Sequence, residues 1–200
     1  MCGRPRQILE EDILNAARDV FREDGHATTT ANIAKRAGVS EGILFYRYKT
    51  KVALLTAVIH REVQPVKLLL EIENIAGQRT LKENLAIIIV TLLESVSRVH
   101  PFMELAETSP ASHKIRQVLF SKGKPPPIQI VELIAGYFEA EMRLGRVRTI
   151  DARIAALAAF GACIDYVRSH HEMNDKRDDQ AFVQGLVDLL FHGTVKLTSP

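Results

Sequence analysis

The feature that most constrains the fold is a pair of short helical segments joined by the turn Gly38-Val39-Ser40. Thr residues at 28–30 can cap the first segment, and Ser40 can cap the second, Glu41–Tyr48. Ala34 is small where the helices would cross, and glycine permits a left-handed turn. The spacing predicts a helix-turn-helix, whose second helix enters a DNA major groove. On these residues alone, a helical hairpin with a glycine turn is the alternative.

The rest of the chain also has a helical period, and no run alternates as a strand does. Thr50 can cap a helix from Lys51 towards Ile75, which Pro65 should bend or interrupt. The sequence predicts an all-α fold, with a three-helix DNA-binding head over residues 1–50 and a helical-bundle body over residues 51–200. Breaks are expected at Pro101 and Gly145, among other positions. The other predicted helices are 8–23, 81–99, 111–121, 128–144, 151–170 and 178–196.

Charge is unevenly distributed along the chain, whose formal net charge is +2. Residues 28–51 contain one acidic residue, Glu41, among several basic ones. This asymmetry suits a head that faces a polyanion and a body that does not. The basic residues of the arm and head are Arg4, Arg6, Lys35, Arg36, Arg47, Lys49 and Lys51.

Several other classes of protein are disfavoured. The two cysteines, Cys2 and Cys163, have no metal-binding or redox spacing, so we expect no metal and no cofactor. The N-terminus turns acidic where a signal peptide needs an apolar core, and the apolar stretch Leu85–Leu93 is short for a membrane span. We therefore expect a cytoplasmic protein. A glycine-rich phosphate loop is missing from the sequence, and adjacent His170 and His171 would diverge on a helix.

Residues 28–55, TTTANIAKRAGVSEGILFYRYKTKVALL, resemble the DNA-binding signature of the TetR-type repressors. The resemblance implies that the helix beginning near Thr29 binds a backbone phosphate and that Glu41 and Gly42 read bases. Phe45 would make an apolar contact, for example with a thymine methyl. The full set of predicted DNA-binding residues is Arg4, Arg6, Thr29, Thr30, Ser40, Glu41, Gly42, Ile43, Phe45, Tyr46, Arg47 and Lys51.

The chain departs from this signature at several positions. Ile43 stands where a small polar residue is common, Arg47 stands where His is common, and the loop before Ile33 is one residue shorter. Arg47 should strengthen phosphate binding. Glu41 would either accept a hydrogen bond from a cytosine amino group or repel a phosphate, and the sequence leaves both open.

The predicted body contains a helix that is apolar around most of its circumference, as expected in the middle of a bundle. In TetR-like proteins the equivalent helix lines a ligand cavity, which implies a largely apolar small-molecule effector here. Plain core packing is the alternative for each residue. The Tyr137 hydroxyl could add polar specificity. The predicted ligand-binding residues are Leu85, Ile88, Leu92, Phe102, Met103, Tyr137 and Phe138.

Small residues recur along 152–167, and apolar residues recur in the last predicted helix. This combination resembles the four-helix dimer interface of the family, although internal packing in a monomer is the alternative. A homodimer would present two reading helices about 34–36 Å apart to a palindromic operator. The predicted dimer residues are Ala155, Ala158, Ala159, Ala162, Phe182, Leu186, Leu189 and Leu190.

Together these features predict a transcriptional regulator that acts as a repressor. Its effector-binding and dimerisation domain is expected at 51–200. Two alternatives remain at this point. One is an architectural or adaptor protein that binds DNA without sensing a ligand. The other is a helical small-molecule enzyme, the least expected class.

Overall fold

The computed structural model describes residues 10–63, 72, 74–121, 124–173 and 176–195. Within these ranges the chain is helical, apart from turns and an isolated antiparallel bridge between Val147 and Val195. The all-α prediction is confirmed. Predicted contacts at Arg4 and Arg6 lie outside the described residues. The helices are α1 Glu10–Asp24, α2 Thr30–Ala37, α3 Glu41–Tyr48, α4 Lys51–Glu62, α5 Leu81–Glu107, α6 Ser112–Leu119, α7 Pro126–Arg143, α8 Ala152–Met173 and α9 Asp179–Thr194, with a 3-10 turn at Gly25–Ala27.

The described chain forms two compact units. The first comprises described residues within 1–63 and 101–123, and the second comprises those within 64–100 and 124–200. The compact units therefore do not follow the boundary that the sequence suggested at residue 50. Because that boundary concerned function rather than compactness, the functional division stays a prediction.

The first unit has its own apolar core, built from α1 to α4, the end of α5 and α6. In α1, buried Ile13, Ala17, Val20 and Phe21 recur at three- and four-residue steps, as one helix face requires. Gly25, at φ +55°, adopts the left-handed conformation where α1 ends. The other buried apolar residues of this core are Ile33, Ala34, Leu44, Tyr48, Leu54, Leu55, Val58, Ile59, Phe102, Ala106 and Ile115.

The second unit contains most of α5 together with α7, α8 and α9. Its core includes fully buried Ile89, Leu92, Phe138 and Ala156, which come from three different helices. One side of α5 thus packs against neighbouring helices. Val90 of α5 is 41% exposed, so the helix is not buried around most of its circumference as the sequence pattern predicted. The thiol of Cys163 is also buried here, and burial raises its pKa to about 12.

α4 ends at Glu62, three residues before Pro65, where the sequence predicted a bend or an interruption, and residues 64–71 and 73 lie outside the described ones. One predicted helix end was wrong. α5 does not stop before Pro101 but continues to Glu107. The lost backbone hydrogen bond at proline costs about 3 kcal/mol. Burial of Phe102 and Ala106 beyond the proline offsets that cost.

α5 is also longer than the apolar stretch that the sequence suggested. By length and composition alone it is sufficient to cross a membrane, with a mean hydropathy of 1.5 over its most apolar stretch. The buried helix of a bundle passes the same test, and Leu85, Ile88 and Leu92 of α5 lie in the core of the second unit. This helix is therefore weak evidence for a membrane span.

Candidate nucleic-acid interface

The turn between α2 and α3 has the geometry that the sequence predicted. Gly38 adopts φ 68° and ψ 31°, which is left-handed. The N–H of Val39 donates to the carbonyl of Ala34 (3.0 Å), and the N–H of Gly38 donates to that of Lys35 (3.3 Å). These two bonds form a Schellman motif, which satisfies carbonyls at the end of α2. Local backbone hydrogen bonds thus define the turn that joins the two helices.

Side-chain caps fix where each short helix begins. Thr29 Oγ1 accepts a hydrogen bond from the N–H of Asn32 (3.1 Å) at the start of α2. Ser40 Oγ accepts from the N–H of Ile43 (3.3 Å) at the start of α3, and Thr50 caps α4 in the same way. The three caps expected from the sequence are confirmed, and each is worth about 1 kcal/mol.

One side of α3 holds the helix in the first unit. Leu44 and Tyr48 are buried against the core, and the Tyr48 hydroxyl donates to the carboxylate of Glu10 (3.2 Å). Burial and the Glu10 charge raise the pKa of Tyr48 to about 12. Tyr48 therefore stays protonated and anchors α3 to α1.

The other side of α3 presents apolar groups to solvent. Ile43, Phe45 and Tyr46 are 38%, 44% and 79% exposed, on a helix of eight residues. Gly42 and Arg47 are exposed as well. Exposed apolar side chains on a single short helix are typical of a binding surface rather than of packing. The side chains predicted to read bases therefore lie on the accessible face.

The amino ends of α2 and α3 are joined by a contact that sequence reasoning missed. The hydroxyl of Thr30, the first residue of α2, donates a hydrogen bond to the carboxylate of Glu41, the first residue of α3. Glu41 is exposed. Both were predicted to contact DNA, and in this structure they contact each other.

Lys51 also has an unexpected set of partners. Its ammonium donates to the carbonyl oxygens of Thr28 (2.9 Å) and His26 (3.3 Å), in the loop before α2. The lysine therefore holds the loop that leads into Thr29. An ammonium has three donors, so a phosphate contact at Lys51 stays a prediction.

The basic residues near α3 differ in their partners. Arg36 forms a two-bond ion pair with Glu23, with both distances 2.6 Å, and this pair lowers the pKa of the Glu23 carboxyl. Its charge is thus balanced within the unit. The Nζ atom of Lys49 lies 5.2 Å from the ring centroid of Tyr46. Arg47, two residues before Lys49, is exposed to solvent. The positive surface of α3 is therefore carried by Arg47 and Lys49 more than by Arg36.

Residues 13–58, which span most of α1 through most of α4, match the family model for bacterial regulatory proteins of the tetR family. Over these residues the chain has a TetR-type DNA-binding domain. Over 199 residues it is 27% identical to the fatty acid metabolism regulator protein of Bacillus subtilis (strain 168), covering 95% of this chain and 96% of the relative.

Solved structures of TetR-family proteins share the fold. A putative TetR-family transcriptional regulator from Mesorhizobium loti superposes with a TM-score of 0.77 at 16% identity, covering 93% of this chain and 96% of the other. FadR from Bacillus subtilis, solved in complex with stearoyl-CoA, gives 0.70 at 22% identity, covering 92% and 99%. At these identities the likeness establishes the fold alone.

The predicted ligand-binding residues fall into two places. Leu85, Ile88, Leu92, Tyr137 and Phe138 are buried together in the core of the second unit. Burial raises the pKa of the Tyr137 phenol above its ordinary value. Phe102 is buried in the first unit, with Met103 packed against that core. A role of any of the seven in ligand binding stays a prediction.

The residues predicted for the dimer interface also differ in their burial. Ala155, Ala159, Leu186 and Leu190 are buried within the core of their own protomer. Of the others, Ala158 and Leu189 are exposed, whereas Ala162 and Phe182 are half-buried. Their place in a dimer stays untested.

The larger exposed apolar residues of α8 were missing from the sequence-based set. Ile154, Leu157 and Ile164 are 65%, 49% and 38% exposed, and Leu189 on α9 is 70% exposed. Their spacing of three and seven along α8 was the available signal, since such residues share one helix face. We call Ile154, Leu157, Ala158, Gly161 and Ile164, together with Leu189, the apolar α8/α9 residues.

Proposed function

We propose that this chain is a TetR-type transcriptional repressor that binds a palindromic operator as a dimer and is switched by a small-molecule effector. The observation that carries the proposal is the exposed apolar face of α3, with Ile43, Phe45 and Tyr46 open to solvent. Packing would leave such side chains buried, whereas base edges and thymine methyls offer them a matching surface. α3 is the part we propose to enter the major groove.

Selection of duplexes from a random DNA pool tests this proposal. A dimer should enrich an inverted repeat whose half-sites are about 10 base pairs, or a multiple of that, from centre to centre. The full chain at low salt is the correct sample, because phosphate contacts weaken steeply with salt. A pool without enrichment at 50 mM salt would contradict the proposal.

The dimer is supported by the apolar α8/α9 residues. Side chains such as Ile154 and Leu189 are more than half exposed, although large apolar groups usually gain by burial. The wide apolar area on α8 suits a second copy of the chain, since an interface between identical helices pairs the same surface twice. A monomeric reading helix of eight residues would make few contacts with DNA.

For the effector, we propose a long-chain acyl-CoA or a ligand with a similar apolar chain. The support is the likeness to the fatty acid metabolism regulator protein of Bacillus subtilis and to FadR, which was solved with stearoyl-CoA. The apolar interior of the second unit, with Leu85, Ile88 and Leu92, has the chemistry to receive an acyl chain. Such a regulator acts on DNA, so we place it in the cytoplasm and propose no catalytic activity.

Titration of stearoyl-CoA into the operator-bound protein tests the effector. A sensor releases DNA at concentrations that leave free CoA and free stearate without effect. To shift a repressor from 99:1 to 1:99 between its DNA-binding state and its other state, the ligand must bind the second state more tightly by about 5.5 kcal/mol. DNA binding that is indifferent to acyl-CoA and to other small molecules would favour an architectural protein instead.

A further inference from the structure

The hydrogen bond between Thr30 and Glu41 places a negative charge beside the amino end of α2. The hydroxyl oxygen of Thr30 and a carboxylate oxygen of Glu41 are 2.5 Å apart, although the residues are eleven positions apart in sequence. Thr30 is the first residue of α2, and Thr29 caps it. The resemblance to the TetR-type signature implies that a DNA phosphate binds at this same end.

A carboxylate and a phosphate have the same attraction to this position. The N–H groups at the start of a helix and its dipole favour any anion there. Two anions at the same donors repel each other, by about 1 kcal/mol at 4 Å even in water. The Thr30 hydroxyl has one proton to donate, so Glu41 and a phosphate compete for it at the amino end of α2, where their charges also repel each other.

Helix capping does not explain the position of Glu41. α3 is already capped by Ser40, whose hydroxyl accepts from the N–H of Ile43. Glu41 remains exposed and directs its carboxylate to another helix. As the first residue of α3, it also lies at the end of the helix that we propose to enter the groove.

We propose that Glu41 is a specificity-determining residue whose carboxylate occupies the amino end of α2 and leaves it only for a matched base. This inference rests on the proposed function. In the major groove, the N4 amino group of cytosine donates a hydrogen bond that a carboxylate accepts. On a site with cytosine at that position, the carboxylate turns to the base and the phosphate takes its place at α2. On other sequences it stays with Thr30 and repels the backbone.

The test measures binding of the full chain to two duplexes, the operator selected by the wild type and a random sequence of equal length. Glu41→Gln removes the charge, and we expect it to bind the random duplex about fivefold more tightly, since one repulsion of that size is relieved. This gain in affinity should be smaller at 200 mM salt than at 50 mM salt. Glu139→Gln, an exposed glutamate of α7 with the same charge change, is the matched control and should stay within twofold of the wild type.

A second selection tests the base contact. Glu41→Ala cannot accept from cytosine, so we expect its enriched sites to lose a cytosine that the wild type selects. Unchanged base preference, or no tighter binding of the random duplex by Glu41→Gln, overturns the Glu41 proposal while leaving the repressor intact. A wild type that enriches no sequence overturns the proposed function, and the role of Glu41 falls with it.

Discussion

The carboxylate of Glu141 is completely buried in the second unit, and one of its oxygens lies 3.1 Å from Nε of Arg146. The other oxygen accepts hydrogen bonds from the N–H of Gly77 and from the amide of Asn84, both 3.2 Å away. Arg146 follows the left-handed turn at Gly145, just beyond α7. A buried carboxylate thus connects α7, α5 and the turn before α5 around one cation.

Removing that cation should destabilise the second unit. Arg146→Met leaves the Glu141 charge buried without its partner, a loss of roughly 3–5 kcal/mol in a fully buried pair. Because the Arg146 side chain is 28% exposed, we expect about 2 kcal/mol. Urea unfolding followed by circular dichroism measures the change, with Arg143→Met as the exposed control. The double variant Glu141→Gln/Arg146→Met should recover stability, and a double variant no more stable than Arg146→Met contradicts this account.

A backbone strain at Lys49 leads to a second prediction, for the first unit. Lys49 has φ 60°, and the N–H of Thr50 donates to the carbonyl of Tyr48 (2.6 Å), which forms a tight γ-turn. A side chain in the left-handed region costs about 1–2 kcal/mol, and glycine avoids that cost. Lys49→Gly should therefore be more stable than Lys49→Ala by about 1 kcal/mol, or about 2–4 °C in Tm.

The comparison between these two variants isolates the backbone. Both remove the ammonium that lies near the Tyr46 ring, so the loss of that contact is common to them. Differential scanning calorimetry of the full chain gives the difference directly. An alanine variant as stable as the glycine variant would mean that the turn at Lys49 is unstrained.

Features set by neighbouring residues were predictable from the sequence. The turn at Gly38 and the caps at Ser40 and Thr50 involve partners within five positions, and the bounds of α3 matched the prediction. Such bonds depend on local backbone chemistry, which a residue type nearly determines.

Features that depend on packing were not predictable in the same way. The bond from Lys51 to the Thr28 carbonyl joins residues 23 positions apart, and the Thr30–Glu41 bond exists only because α2 and α3 are held together. At Pro101, the local rule predicted a helix end, whereas burial of Phe102 favoured continuation. Sequence spacing carries little information about such contacts.

The small residues of α8 show the same limit. Ala155 and Ala159, which were predicted for the dimer interface, are buried in the core of their own protomer, and their place in a dimer stays a prediction. A stripe of small side chains indicates close approach of another helix without specifying whose helix it is. The exposed residues beside the stripe carry the information about an outside partner.

Phosphate binding at α3 leads to a third prediction. Arg47 is exposed in the last turn of α3, where the family resemblance implies a phosphate contact. Arg47→Ala should weaken binding to every DNA sequence alike and lower the slope of log Kd against log salt by about one per head. Fluorescence anisotropy between 50 and 200 mM salt measures both effects. Arg143→Ala, an exposed arginine of α7, should leave the slope unchanged, and an equal slope for Arg47→Ala would place the phosphate contact elsewhere.

The apolar α8/α9 residues lead to a fourth prediction, on assembly. Leu157→Arg puts a charge in the middle of the exposed apolar side of α8, where the proposed partner would have to bury it. We expect sedimentation equilibrium to show a dimer for the wild type and a monomer for the variant, with operator affinity reduced because one protomer engages one half-site. Ile128→Arg, a similarly exposed apolar position on α7, should remain dimeric. Since Leu157 is half exposed in the single chain, the Leu157→Arg variant should keep its helical content. A folded variant that still forms dimers would show that the two protomers meet through another surface.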